Sequence, residues 1–456
     1  MIKKYVLLAG MFFLILFVSA CGGAEKAVED SSPVNQSSNK NAETVTETEK
    51  ELEPAEPVTI TFYEGSSGRS KEWFMDLYGN DIEEKFPHVT TEFRYMQQVN
   101  DKMVGLAELI ASGENNIDIV ITSTGSIIPH LIESGLAYDH SELIAKHNYD
   151  LSKINSTPIE QLKALTNGQI VGLPITATAN ALVYNVDLFD QFGVEYPQDG
   201  MFWDEVYDLA VRMTRTADGR QYRGFAASHS HVALVNQLSA SYVDPETKQA
   251  LFATDPRWVT HSQNMKRFHD IPGNEVDAST VGAAHAQFYS EQIAAMYVNS
   301  LDATWLDPAK GVPNADAVQM PFYKELPGVG SQLYPTYFSV TSTSKKKDEA
   351  FQVIAWLTSD EYQMERAKRG FTPISTNPAV REAIGADLPY LEGKNPQAFL
   401  PQNPAAPSIL TPYNAMANLE FLLKLREYMI GEIDDVNTML RETAEIVNAK
   451  IAEMND

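Results

Sequence analysis

The sequence has a single cysteine, Cys21, in 456 residues. One thiol cannot build a disulfide framework. Positive charge is also scarce: 35 Lys and Arg stand against 61 Asp and Glu, a formal net charge of −26. Phosphate backbones and anionic lipid surfaces attract clustered cations. This balance therefore argues against nucleic acid as a partner and against electrostatic attachment to a membrane. Catalytic signatures are missing too, with no G-x-S-x-G elbow, no H-E-x-x-H and no Walker loop. Ser342-Thr343-Ser344-Lys345 matches S-x-x-K formally, but the Ser-Asp-Asn and Lys-Thr-Gly partners of that motif are absent. Neither the His229-Ser230-His231 cluster nor Asp434-Asp435 has further ligands at metal or calcium-loop spacing. The histidines read as exposed loop residues. No metal, cofactor or internal repeat is expected.

What is present begins at the N-terminus. Lys3 and Lys4 precede an uncharged, mostly apolar run from Tyr5 to Ala20, short of the roughly 20 apolar residues that a spanning helix needs. A basic start, an apolar run and small residues at its exit make a secretory signal over residues 1–20. Val18-Ser19-Ala20-Cys21 resembles a lipobox, in which the cysteine thiol is acylated and becomes the new N-terminus. The resemblance implies lipidation of Cys21 and an extracytoplasmic location at the outer face of a bacterial cell membrane. Residues 21–57 then read as an acidic linker: after Cys21, nine acids from Glu25 to Glu56 face Lys26, Lys40 and Lys50 among Ser, Asn, Thr and Pro. Such a segment buries too little apolar surface to offset its ordering entropy and is expected to stay disordered.

The body, from Val58 onward, exceeds the length at which a single core stops growing, so two lobes are expected. Val58–Tyr63 alternates β-branched and aromatic residues and runs into Glu64-Gly65-Ser66-Ser67-Gly68, a strand followed by a turn. Trp73–Phe86 reads as a helix, Thr90–Tyr95 as a strand, Asp101–Ala111 as a helix and Ile117–Ile121 as a third strand. This alternation predicts an α/β fold with parallel units, whose ligands sit beyond the carboxyl ends of the strands. Ser344 is a candidate N-cap for a helix over Ala350–Leu357. Ala417–Met454 reads as helices broken at Gly431, with Leu419, Leu422, Leu423 and Met429 on apolar faces. Trp203 reads as a staple at a helix start.

Asn167–Pro174, Ala181–Phe189 and Trp203-Asp204-Glu205 resemble the sugar-type (family 1) extracellular solute-binding proteins of ABC importers. Asp118–Leu136, Phe288–Asn299, Val318–Pro321 and Phe338–Pro373 agree in order and spacing. The resemblance implies a periplasmic-binding-protein-like fold of two α/β lobes closing on a cleft. Lobe 1 would comprise 58–171 and 341–369, and lobe 2 would comprise 172–340 and 370–456. It also implies delivery of a small solute to the membrane permease subunits of an importer. A monomer is expected because one lipid anchor and a hinged body need no partner subunit, and the missing catalytic signatures argue against an enzyme.

Candidate ligand residues come first from the strand ends: Glu64, Ser66 and Ser67, then Ser123 and Thr124. The resemblance adds Thr176, Thr178 and Asn180, and also Asn299, Asp302 and Trp305. Tyr334, Tyr337 and Tyr413 offer faces for stacking. Hydroxyls, amides and aromatic rings suit a neutral polyhydroxylated solute, since sugar hydroxyls need fixed donors and acceptors and pyranose C–H faces favour aromatic contact. Glu64 and Asp302 leave a cationic cargo such as a polyamine open, alongside peptides and polyols. An anchored surface hydrolase is the reading from another class.

Overall fold

The computed structural model describes residues 56–65, 69–99, 102–113 and 116–455. The signal segment, Cys21, the acidic stretch to residue 55 and the loop residues Ser66 and Ser67 lie outside the described residues. Strand β1, Val58–Glu64, is buried on both faces from Ile60 onward, as a strand inside a helix-covered sheet must be. It pairs in parallel with β2, Val89–Tyr95, and with β3, Ile119–Ser123. Next come β4, Leu173–Asn185; β5, Ala226–Ala227; β6, Met296–Leu301; β7, Ala315–Gln319; and β8, Tyr334–Val340. The strand order is β2-β1-β3-β8-β4-β6-β5, with β7 also on β4.

The 13-residue strand β4 organises the molecule. Its first half, from Leu173 to Thr178, pairs with β8, whereas Ala179–Asn185 pairs with β6 and β7. All three partners run antiparallel to it, and β8 is antiparallel to β3 as well, so among the described strands parallel pairing is confined to β1–β3 and the short β5–β6 pair. A strand that passes through two sheets meets chain returning from the far side, which lays antiparallel strands on its edges.

Two main cores follow from this. Ile60, Phe62, Phe74, Leu173, Ile175 and Phe338 pack in the first. Leu182, Trp203, Phe225, Trp258, Phe268 and Phe421 pack in the second. Residues 173–177 and 334–340, grouped with the second lobe by the sequence reading, ladder towards β3 and feed the first core and a smaller cluster beside it. The whole lies within one unit spanning Ala55–Asp456.

The helices that matter for the site are α1, Trp203–Met213; α2, His229–Leu234; α3, Pro256–His269; α4, Lys347–Leu357; α5, Asn414–Met429; and α6, Val436–Asn455. Trp203 does open α1, buried, with Nε1 donating to Gln237 Oε1 at 3.1 Å. Several other local expectations are corrected. Lys102–Val104 pairs with Gln97–Val99 as a hairpin, and the helix expected from residue 101 begins only at Leu106. Leu419 and Leu423 are exposed, because α5 buries its opposite face through Ala417, Phe421 and Leu425.

Ser344 does not cap α4, whose N-cap position is Lys346. Its hydroxyl instead donates to Asp118 Oδ1 at 2.6 Å, while Oδ2 accepts from the Thr61 amide at 3.0 Å. Asp118 is buried, and Lys346 Nζ lies 3.4 Å from it. Ser344→Ala removes one donor from a buried carboxylate and is expected to cost about 1.5 kcal/mol in a urea unfolding titration; an unchanged midpoint would show that Lys346 and Thr61 suffice.

Candidate functional site

The ends of β1 and β3, the start of β8 and the middle of β4 meet where the two cores adjoin. At the end of β1, the buried Glu64 pairs with Arg69, Nε to Oε2 at 3.4 Å, and the Arg69 guanidinium lies over Trp73 at 4.3 Å. The turn after it rests on His130. A Cβ on Gly65 would fall 2.1 Å from the ring's Cε1, so glycine permits the backbone to reach the imidazole. Burial lowers the His130 pKa, against the pull of Glu64. At the end of β3, Ser123 accepts from the Tyr334 hydroxyl at 2.9 Å and shares a 3.3 Å contact with Ser126 Oγ. Thr124, next in the loop, is buried.

Tyr334 is the hub. Burial raises its pKa, and the Glu64 charge adds to this. Its ring meets His231 of α2 edge-on at 5.5 Å, and His231 Nδ1 lies 2.8 Å from Ser228 Oγ. Beside it on β4, Thr178 Oγ1 lies 2.7 Å from Ser300 Oγ of β6 and 3.4 Å from the Tyr334 carbonyl. Asn180 is buried; its amide donates to Ser331 Oγ at 2.8 Å and its Nδ2 to the His231 carbonyl at 3.5 Å. Glu64, Ser123, Thr178, Asn180 and Tyr334 are therefore brought together, with groups drawn from both cores.

A second set sits apart from these. Asn299 alternates onto the face of β6 that carries Tyr297 and Leu301, opposite Ser300. Its Oδ1 accepts from the Ser300 amide at 2.8 Å. Asp302 caps the turn Ala303–Leu306 through the Thr304 amide and hydroxyl, and burial holds its pKa above the usual carboxylate value against those bonds. Trp305 packs on His285 and Tyr289 at 5.4 and 5.3 Å. A cavity of about 500 Å³ opens beside this set, between Ser228, His229, His285, Tyr297 and the Leu425–Arg426 face of α5. That volume is in the range of small-molecule pockets.

Three candidates are held elsewhere. Thr176 donates to the Thr372 carbonyl at 2.5 Å and ties two chain segments together. Tyr337 is wholly buried, with its hydroxyl on the Pro158 carbonyl at 3.0 Å. Tyr413 packs in the second core with its hydroxyl on Asn455 at 3.0 Å. In β8 successive side chains point to opposite sides, which separates Tyr337 from Tyr334. Ser66 and Ser67 lie outside the described residues.

Sequence reasoning missed Arg69, His130, His231 and Ser300. His231 was legible only as part of a histidine pair, read there as exposed loop. His229–Leu234 is instead a helix, and His229 Nε2 stands 3.0 Å from His269 Nε2. Among the described residues no group of three or more His, Cys, Asp or Glu could hold a metal ion, and no helix is long and apolar enough to cross a membrane.

The chain is similar in sequence and fold to known proteins. Residues 65–364, more than half of the chain, match the family described as bacterial extracellular solute-binding protein. A mannitol-binding protein of Pseudomonas aeruginosa is 25% identical over 212 residues, 43% of this chain and 46% of that protein. The chain thus spans less than half the length of this curated relative. An ABC substrate-binding protein from Listeria monocytogenes in complex with cycloalternan has the same fold, with a TM-score of 0.69 at 17% identity over 87% of this chain and 100% of that one. So does a solute-binding protein from Agrobacterium vitis S4 with bound D-mannitol, with a TM-score of 0.60 at 16% identity over 87% of this chain and 99% of that one. Together with the α/β fold, the match over residues 65–364 means that the chain belongs to the bacterial extracellular solute-binding protein family.

Proposed function

We propose that this protein is a lipid-anchored receptor that captures a neutral sugar, oligosaccharide or polyol between two closing lobes and hands it to the permease of an ABC importer. The observation that carries this reading is the group around Tyr334: hydroxyls, amides and an aromatic ring from both cores converge, while the acid beside them, Glu64, faces Arg69. In the set apart from them, burial favours the neutral form of Asp302. A polyamine would need free negative charge, so both favour an uncharged cargo over a cation. The mannitol-binding relative and the neighbours holding cycloalternan and D-mannitol point the same way. The first core forms one lobe and the second core the other, with the chain crossing near Thr178–Asn180, Ser331–Tyr334 and Phe371–Ser375. Solute touching both lobes shifts the open–closed equilibrium by its differential affinity. Cys21 carries the anchor, residues 24–57 act as the spacer, and the protein works as a monomer without catalysis.

A thermal-shift screen tests the cargo, because a ligand that binds only the folded state raises the Tm by mass action. At a hundredfold excess over Kd, a sugar or polyol is expected to add about 2.7 kcal/mol of stability. A shift with a polyamine or peptide and none with sugars would overturn the cargo, and turnover of a chromogenic glycoside would overturn the binding reading. Metabolic labelling with palmitate tests the anchor, and label retained in Cys21→Ala would sink it.

A further inference from the structure

Gly125 sits in the loop after β3, is exposed, and does not take a positive φ. Its backbone therefore does not call for glycine. The nearest described atom to a Cβ built there is Leu234 Cδ2, at 3.3 Å, followed by the Tyr334 hydroxyl at 3.8 Å and Ser123 Oγ at 3.9 Å. A contact of 3.3 Å is tighter than ordinary van der Waals packing, so the neighbour would have to give way. Leu234 ends α2, a helix whose Val232 and Ala233 belong to the second core, whereas β3 belongs to the first. The space that a side chain at position 125 would need is thus taken by the opposite core.

One turn back on α2, His231 meets the Tyr334 ring, and Tyr334 in turn holds Ser123 two residues before Gly125. The Leu234–Gly125 and His231–Tyr334 contacts therefore lie on one face of α2 and reach the same loop.

We propose that α2 is the closing surface of the second lobe, and that the missing side chain at Gly125 sets how closely the lobes approach. This rests on the solute-capture reading for its functional consequence, though the contact itself does not. Closing strengthens every solute contact that spans the lobes, so a side chain at 125 weakens binding without touching the solute. The effect is steric and lies across the gap, and shortening Leu234 relieves it.

The test compares the full-length detergent-solubilised protein with Gly125→Val, Leu234→Ala and the double variant. Calorimetry uses whichever sugar or polyol gives the largest thermal shift on the unaltered protein. Gly125→Val is expected to bind at least tenfold more weakly with an unchanged Tm, Leu234→Ala within threefold of the unaltered protein, and the double variant to recover most of the loss. Equal weakness in Gly125→Val and the double variant would place the effect within the loop and overturn the proposal, as would undiminished binding by Gly125→Val. A second arm needs no solute: the Gly125→Cys, Leu234→Cys pair is treated with a short thiol-bridging reagent, and a 125–234 bridge is read by peptide mass. The bridge is expected, and its absence overturns the contact. If it forms while the unaltered protein binds no solute in the panel, the solute-capture reading fails and the contact stands.

Discussion

Lowering the pH from 7 to 5 is expected to reduce the Tm by roughly 5–10 °C, a loss driven by buried histidines. Burial lowers the pKa of His140 and His229 to about 4, and of His261 and His269 to about 3, from 6.5. Each imidazole binds its proton less well in the folded chain than in the unfolded one. The unfolded state therefore takes up protons first as the pH falls through 6.5, and stability drops until the folded pKa values near 3–4 are reached. At pH 5, 1.5 pH units below 6.5, this amounts to about 2 kcal/mol per independent imidazole. His229 and His269 share a short N···N contact and titrate as a pair, so the set is worth several kcal/mol. Unfolding about 400 residues carries roughly 0.8 kcal/mol per degree, which gives the expected shift. Asp302 works in the opposite sense, since its raised pKa adds stability as the pH falls, but it is one group against four.

One variant separates this cause from general acid lability. His261 lies between Trp258 and Phe421, and its buried Nε2 has no hydrogen-bond partner among the described residues. His261→Leu deletes a titrating group without leaving a partner unpaired. Its Tm should fall less steeply between pH 7 and 5 than that of the unaltered protein, and parallel curves would count against the histidine account.

The second large effect concerns the solute. Tyr334→Ala is expected to weaken binding of the preferred sugar or polyol by about 100-fold, because an aromatic face and its hydroxyl are lost together. Tyr334→Phe keeps the ring and the edge contact with His231 but loses the hydroxyl that holds Ser123. A three- to tenfold loss is expected there, the scale of one hydrogen bond. Tyr337→Phe is the control: its hydroxyl is buried on the Pro158 carbonyl, away from the group around Tyr334, so stability should fall slightly and affinity stay within twofold. Equal losses at 334 and 337 would mean that the tyrosines act through the fold and not at the site.

Much of this was legible in the chain itself. The β-branched and aromatic run Val58–Tyr63 specified a buried strand, Trp203 specified a helix start, and Gly431, at φ 79°, specified the break between α5 and α6. Among the candidate residues, Glu64 and Ser123 follow from their place at strand ends and Tyr334 from its aromatic face, whereas Thr178 and Asn180 come from the family resemblance and lie in the middle of β4.

What the chain could not reveal was which face each residue would present and what would lie across from it. Tyr334 and Tyr337 are alike in type and three residues apart, and only the pleat of β8 sends one towards Ser123 and His231 and the other into the core. Glu64 looked like free charge until folding laid Arg69 against it. His229, His261 and His269 lie up to 40 positions apart, and α2 and α3 brought half-buried His229 against buried His269 at the edge of the second core. Local propensity and polarity are properties of neighbouring residues, so the sequence by itself determined the elements and the residue types of the site. Compensation, burial and the approach of Leu234 to Gly125 depend on pairs far apart in the chain, and only the tertiary structure decided them.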